Sequence, residues 1–406
     1  MANTPSRFWT APLLALSLAT PMAAQTLFGL DNGAAGAPAQ PRLHHFDTTC
    51  QRISACFPGF APALIPSPNG GVALGECSSS IWATDGVLLL NVDQNCNPLF
   101  ACRTGAIPGS GNEWKGLAVD EDQNRLVYTD GRLIVELPLP TSCPLPSPVA
   151  RCQVSSPPFS ILTGVEIDPF DDAFWVCDVR GNVGQVAFSP TGVCTVNVIF
   201  QAKCPSGLAP VLPLQGITID RCARTPFGTV GIVTVTDDAG NIIRMDLGGN
   251  PISCCPFGPA LGAGGRLVGL ARNPIQARQF GRSCSGPGCP PCLPVAGVRG
   301  ESVIPTNCLD ITLAAAPGQS LAFLLIDVTT VTVPFACGAL YVPGAAILGP
   351  FPTGGTAGAC DGGASFNLPI PLAPSLCGLP LFFQWGIVCT PAGGLSLSDA
   401  VGVTLN

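Results

Sequence analysis

Short apolar runs that alternate with polar positions recur along most of this chain, and each is cut off by Gly, Pro, Asn or Asp. Alternation at period two predicts half-buried strands, and those residues predict tight turns between them. The runs also repeat. Aligned on a Gly followed by alternating apolar positions, the chain gives GVALG (71–75), GLAVD (116–120), GVEID (164–168), GITID (216–220) and GLARN (269–273), spaced 45, 48, 52 and 53 residues apart. A second run ending in Asp follows the first four: IWATDG (81–86), LVYTDG (126–131), FWVCDVRGN (174–182) and TVTDDAGN (234–241). In the fourth unit RCARTPFG (221–228) is inserted between the two runs. Third strands follow at VLLLNVD, RLIVELP, VGQVAFS and IIRMDL, and weaker fourth strands complete each unit.

Four antiparallel strands in a repeat of 40–50 residues is the period of a β-propeller blade. The expected fold is therefore all-β, with a five-bladed propeller over residues 43–282. Six blades remain open if 133–160 or 242–265 hold further strands. Closure is expected from a blade shared between 43–60 and 265–282, because HHFDTTCQRISACFPG (44–59) matches the outer half of the first full unit, including its C-x5-C spacing. A shared blade would leave no free sheet edge. Asp85, Asp130, Asp178 and Asp237 recur at one place in each unit. An Asp there can bond the amides of its own turn, so these four are expected to be structural.

The pattern changes at RSCSGPGCPPCLPVAG (282–297), a Pro/Gly/Cys-rich stretch assigned as a linker over 283–297. Beyond it, CLDITLAAA, SLAFLLIDV, GALYV, GASFNLPIPL, LPLFFQWGIVC and GLSLSDAVGVTL predict a small C-terminal β-sandwich over 298–406. At the other end, Arg7, the apolar APLLALSLAT (11–20) and the small residues before Gln25 read as a signal peptide over 1–24, followed by a lead segment over 25–42. No run reaches the length of a membrane-spanning helix. The localisation expected is secreted, periplasmic or cell-surface.

Composition sharpens this picture. The chain has 406 residues, 47% hydrophobic and only 11% charged, with 48 Gly, 43 Pro and 21 Cys. So many cysteines fit an oxidising compartment, and an odd number leaves one thiol unpaired or available to link subunits. Pairs flanking the outermost hairpins are expected to form disulfides: Cys50/Cys56, Cys96/Cys102, Cys143/Cys152 and Cys194/Cys204. The formal charge of −7, without any basic stripe, argues against nucleic acid as a partner.

Candidate chemistry is sparse. Cys284-x4-Cys289-x2-Cys292, with Cys308 further on, has the spacing of three ferredoxin cluster ligands, but an exported chain and a Pro-Pro between two of them favour disulfides. His44 and His45 are the only histidines and lack acidic neighbours at ligand spacing. Asp120-Glu121-Asp122-Gln123-Asn124 opens like a calcium loop, but Arg125 and Gly131 stand at its sixth and twelfth places. A solvated hairpin is the better account. No metal, cofactor or catalytic set is expected. Glu113, Trp114 and Lys115, just before an inner strand, are the most ligand-like group, with a Trp packed between blades as the plain alternative.

The repeated units resemble those of NHL and YVTN-type propellers, in which an apolar strand ends in Asp and a second ends in TD or CD before Gly or Asn. Members bind proteins, glycans or RNA, and some related propellers are lactonases or lyases. The C-terminal NLPIPLAPSLCGLPLFFQWGIVCTPAGGLSLSDAVGVTL (367–405) resembles a module on many secreted bacterial proteins, with Asp399 where that module usually has Asn. The resemblance implies an accessory role such as retention or sorting. Together these readings predict a secreted or envelope-associated, non-enzymatic protein that binds a glycan or protein ligand. The alternatives are a metal-dependent hydrolase, lactonase or lyase using Glu113, Glu166, Asp168 and Asp220, and a structural component of an extracellular layer.

Overall fold

The computed structural model describes residues 26–405 apart from stretches of which the longest are 33–40, 59–69 and 105–112. The signal-peptide assignment over 1–24 lies outside the described residues. The fold is all-β: every named element is a strand except one 3-10 turn, Pro374–Leu376.

Three of the sequence repeats each begin an antiparallel quartet made from one stretch of chain. The first is Gly71–Leu74, Ile81–Thr84, Leu88–Val92 and Pro98–Arg103; the second is Gly116–Asp120, Arg125–Thr129, Leu133–Pro138 and Ala150–Val154. The fourth is Leu214–Arg224, Val230–Asp237, Asn241–Asp246 and Pro251–Pro256. The third quartet, Leu162–Ile167, Phe174–Asp178, Asn182–Ala187 and Val193–Gln201, joins the second into one eight-stranded sheet, because Gln153 and Val154 pair in parallel with Val193 and Cys194.

Closure differs from the expectation. The closing sheet runs Leu267–Asn273, Thr26–Asp31, Leu43–Asp47, Arg52–Cys56, so three of its strands come from the N-terminal side and a single strand from the far end of the circuit. TLFGLD (26–31), read from sequence as belonging to a lead segment, is a strand that buries Leu27, Phe28 and Leu30 and pairs directly with 267–273. Arg278–Phe280, expected in the shared blade, pairs instead with Ala400–Gly402.

The leading glycines explain how the inner strands meet. A Cβ on Gly71, Gly116, Gly164, Gly216 or Gly269 would sit only 2.6–3.2 Å from backbone of the next inner strand, in the cyclic order 71, 116, 164, 216, 269 and back to 71. Only a residue without a side chain permits that approach. The five inner strands therefore form a closed circuit, and a buried apolar cluster fills the space between each neighbouring pair of sheets.

Residues 278–405 form a second unit. Arg278–Phe280, Leu395–Thr404, Pro380–Val388, Leu321–Asp327 and Ala346–Pro352 make one sheet, and Val295–Arg299, Thr306–Ala316 and Gly362–Ile370 another. Ile311, Leu313, Leu324, Phe383, Trp385 and Val401 are buried in their common core. Ring residues Phe170 and Cys222 join that core, and Cys222 forms a disulfide with Cys377. The inserted RCARTPFG is thus the docking element for the second unit. Residues 283–297, assigned from sequence as a linker, are woven into this unit: Cys284–Ser285 pairs with its last strand.

The disulfides overturn the expected pairing within hairpins. Cys50 and Cys56 flank one extended strand and, at about 3.3 Å per residue, stand roughly 20 Å apart, against the 4.4–6.8 Å or so that a disulfide spans between Cα atoms. Each cysteine reaches a neighbouring quartet instead: Cys50–Cys255, Cys56–Cys96, Cys102–Cys143, Cys152–Cys194 and Cys204–Cys254. Cys254 and Cys255 are adjacent, so these bridges and the short segments between them close a covalent belt around the circuit. Cys284, Cys289 and Cys292, the ferredoxin-like trio, bridge to Cys337, Cys389 and Cys360, which leaves no thiolate for a cluster. Cys77 and the side chain of Cys308 lie outside the described residues. So dense a set of disulfides belongs to an oxidising environment, and no helix is long and apolar enough to cross a membrane among the described residues.

Candidate functional site

The axis of the circuit is almost filled. At the glycine layer the free space is about 10 Å³, bounded by the five glycines and the residues that follow them. That is room for about one water molecule, so an organic ligand cannot pass there. A larger cleft of about 470 Å³ opens beside it, between the second and third quartets. Lys115, Asp130, Arg132, Leu133, Gln153 and Ile161 line it, with Gly131 at its floor. Gly131 has φ +101°, and a Cβ there would meet Ile161 Cγ2 at 3.0 Å and the Lys115 stem at 3.4 Å. Glycine thus lets the turn supply a concave floor.

The sequence-picked trio is split by this geometry. Trp114 is only 1% exposed and stacks on Tyr128, with ring centroids 3.9 Å apart and planes 6° from parallel, inside the core between the first two sheets. It is not available to a ligand; packing between neighbouring sheets takes it. Glu113 is exposed and does not line the cleft. Lys115 does, with its amide donating to the Thr129 carbonyl. Arg132, Gln153 and Ile161 escaped sequence reasoning because they come from three separated segments. The only local signal was a cation, Arg132, placed directly after the Asp-Gly of a turn.

The repeated acids are engaged in their own turns. Asp85 accepts from the Val87 and Leu88 amides, Asp130 from those of Arg132 and Leu133, Asp178 from those of Arg180 and Asn182, and Asp237 from those of Ala239 and Asn241, all at 2.8–3.0 Å. Such bonds are local and repeat wherever the turn repeats. Asp93 shows the same chemistry in an outer hairpin, where the Asn97 side chain and amide hold its carboxyl below the usual range.

Glu113 stands apart from the other acids considered for metal-dependent chemistry: it precedes Gly116, whereas Asp168 and Asp220 each lie four residues past their leading glycines, toward the other end of the inner strands. Glu166 and Asp168 lie close enough for the charge of Asp168 to be felt at Glu166. Arg221 grips Asp168 with Nε at 2.8 Å and Nη2 at 2.7 Å, and Arg272 stands 2.7 Å from Asp220. These guanidinium pairs each bridge one sheet to the next. Glu166 has no such partner at ion-pair distance among the described residues. Burial pushes its carboxyl up to about 8, against the pull of the Ile167 amide, the Thr218 side chain and the field of Arg272. It is a mostly neutral acid in the wall of the circuit near pH 7.

The remaining candidates are structural. His44 Nε2 lies 2.8 Å from Asp31 Oδ2 in the closing sheet, while His45 stacks on Phe28 and burial lowers its pKa. In the 120–125 hairpin Asp120 accepts from the Gln123 amide and pairs with Arg125, which also contacts Asp172 of the next quartet. An arginine at the sixth place replaces the glycine and the cation that a calcium loop needs. The free thiol among the described residues, Cys177, is buried, and burial pushes it up to about 12. The odd count predicts an unpaired cysteine, and the burial of Cys177 keeps this one from reaching a second chain.

No family model matches the sequence, and no curated protein does. Among solved structures the chain is similar to a protein of unknown function from Bacteroides caccae, at 8% identity and a TM-score of 0.37 over 62% of this chain and 99% of that one. It is also similar to U3-55K, at 11% identity and a TM-score of 0.29 over 53% of this chain and 58% of that one. Likeness at that level carries nothing about activity.

Proposed function

We propose that this chain is an exported five-bladed β-propeller of the NHL or YVTN kind with a C-terminal β-sandwich, acting as a non-enzymatic protein that binds a glycan or protein ligand. The observation that carries the reading is the contrast between a nearly filled axis and an open cleft of about 470 Å³ beside it. A cleft of that size with mixed apolar and polar walls suits recognition of a small ligand or one segment of a larger one. The inner-strand acids support the same reading, because Asp168 and Asp220 serve as guanidinium partners. Five sheet-forming units with glycine-to-glycine contacts support the blade number, and the disulfides together with residues 1–24 support export.

The test is a glycan array and a pull-down with the mature secreted chain and with Ile161→Trp, which fills the cleft from an exposed position, 42% accessible. The ligand found with the wild type is expected to be lost with the variant while the melting temperature holds. Undiminished binding by the variant removes the cleft from the reading.

A further inference from the structure

The cleft has a charge character of its own. Lys115 and Arg132 both face it, and neither enters an ion pair among the described residues. Their backbones are fixed: the Lys115 amide donates to Thr129, the Arg132 amide to Asp130 Oδ1, and the Arg132 carbonyl accepts from Val154. The two cations are therefore mounted on hydrogen-bonded backbone with their head groups unspent. Asp130 shares the wall, but its Oδ1 is occupied by the amides of its own turn. In a chain of formal charge −7, two cations against the single carboxylate of Asp130 leave this cleft with a positive balance that favours an anion.

The rest of the lining narrows the class. Leu133 and the exposed Ile161 give an apolar shelf, and the exposed Gln153 gives an amide donor and acceptor. Peptide recognition by strand addition needs a free strand edge to pair with. The strands here offer none: Leu133–Pro138 is paired on both sides, and Gln153 faces Leu133 on one side and Val193 on the other. We infer that the cleft takes an acidic sugar, a hexuronic acid unit of a glycan. Its carboxylate would meet Lys115 and Arg132, its C–H face the apolar shelf, and a hydroxyl Gln153. This rests on the binding reading above.

The experiment titrates the intact mature chain, by calorimetry and by saturation-transfer NMR, with a glucuronic- or galacturonic-acid disaccharide, its neutral counterpart and a glutamate-rich peptide. The acidic sugar is expected to bind, to weaken as salt is added, and to weaken at least about tenfold in the double variant Lys115→Gln, Arg132→Gln. The exchanged pair Lys115→Arg, Arg132→Lys should keep most of the affinity, which separates lost charge from disturbed folding. Equal binding of the neutral sugar, or preference for the peptide, overturns the acidic-sugar inference and leaves the binding reading standing. Binding of none of the three overturns the inference, and an empty array and pull-down alongside it take the cleft reading down as well.

Discussion

The circuit of inner strands and the C-terminal unit are both stapled by disulfides, but on opposite plans. Around the circuit each bridge joins neighbouring quartets, so that the covalent ties run from one quartet to the next: Cys56–Cys96, Cys102–Cys143 and Cys152–Cys194 span 40, 41 and 42 residues. In the C-terminal unit three bridges fan out from one short segment, Cys284, Cys289 and Cys292, to three distant points, spanning 53, 100 and 68 residues. The first plan distributes restraint evenly around a repeated architecture. The second concentrates it in one segment, whose last residues also pair with the terminal strand through Ala296 and Asp399. Repetition makes equivalent neighbours available for bridging, whereas a unit without repeats needs a hub.

The sharpest way to break the comparison is to remove one bridge of each kind. Replacing Cys50 and Cys255 with Ser opens the belt where the closing sheet meets the fourth quartet, the place of longest sequence separation, 205 residues. The expected loss is about 5 kcal/mol on the loop-closure estimate for that separation. Replacing Cys289 and Cys389 leaves Cys284 and Cys292 pinning their segment on both sides, so the expected loss is smaller, below the roughly 4.7 kcal/mol that a 100-residue loop alone would give. Denaturant unfolding of both variants checks the ranking, and equal losses would erase the proposed difference between a belt and a hub.

A second measurement probes the circuit through Glu166. A carboxyl raised above its unfolded value stabilises the fold while protonated. Its contribution is present in full below the unfolded value of about 4.5, declines as pH rises, and is gone once pH passes about 8. Glu166→Gln cannot ionise. The variant's melting temperature relative to wild type is therefore expected to climb steadily from pH 4.5 to 8, and a constant offset would show that the carboxyl is not raised.

The smallest effect belongs to the C-terminal unit. Burial raises the Asp399 carboxyl, opposed by the Ala296 amide that donates to it at 2.7 Å. Asn keeps the acceptor and removes the charge. Asp399→Asn is expected to stabilise the chain at pH 7 by no more than about 1 kcal/mol, with the gain vanishing in acid, as a pair of melting curves would reveal.

What could be read from the sequence follows from how local each feature is. The spacing of Gly71, Gly116, Gly164, Gly216 and Gly269 carries its own reason, because each must clear the backbone of the next strand. The bonds of Asp85, Asp130, Asp178 and Asp237 reach only two to four residues along the chain, so a short motif contains them. Cysteine partners were illegible because they are set by which sheets become neighbours, a property of no single hairpin. For Trp114 the sequence left a ligand contact and packing between blades both open, because what covers it, Tyr128 and the first sheet, lies in other segments. TLFGLD was passed over because its strand partner, 267–273, is more than two hundred residues away along the chain. The cleft assembles from 115, 130–133, 153 and 161, and no pattern in the sequence announces that meeting.

The belt carries one more consequence. Its hoop consists of the segments 50–56, 96–102, 143–152, 194–204 and 254–255, fastened end to end by five sulfur bridges. The long connections that carry the inner strands lie outside that hoop. A protease that severs such a connection makes a nick without making a gap, since the perimeter keeps its length and both fragments remain threaded on it. In an oxidising environment, scission and disassembly become separate events, and only a reductant joins them.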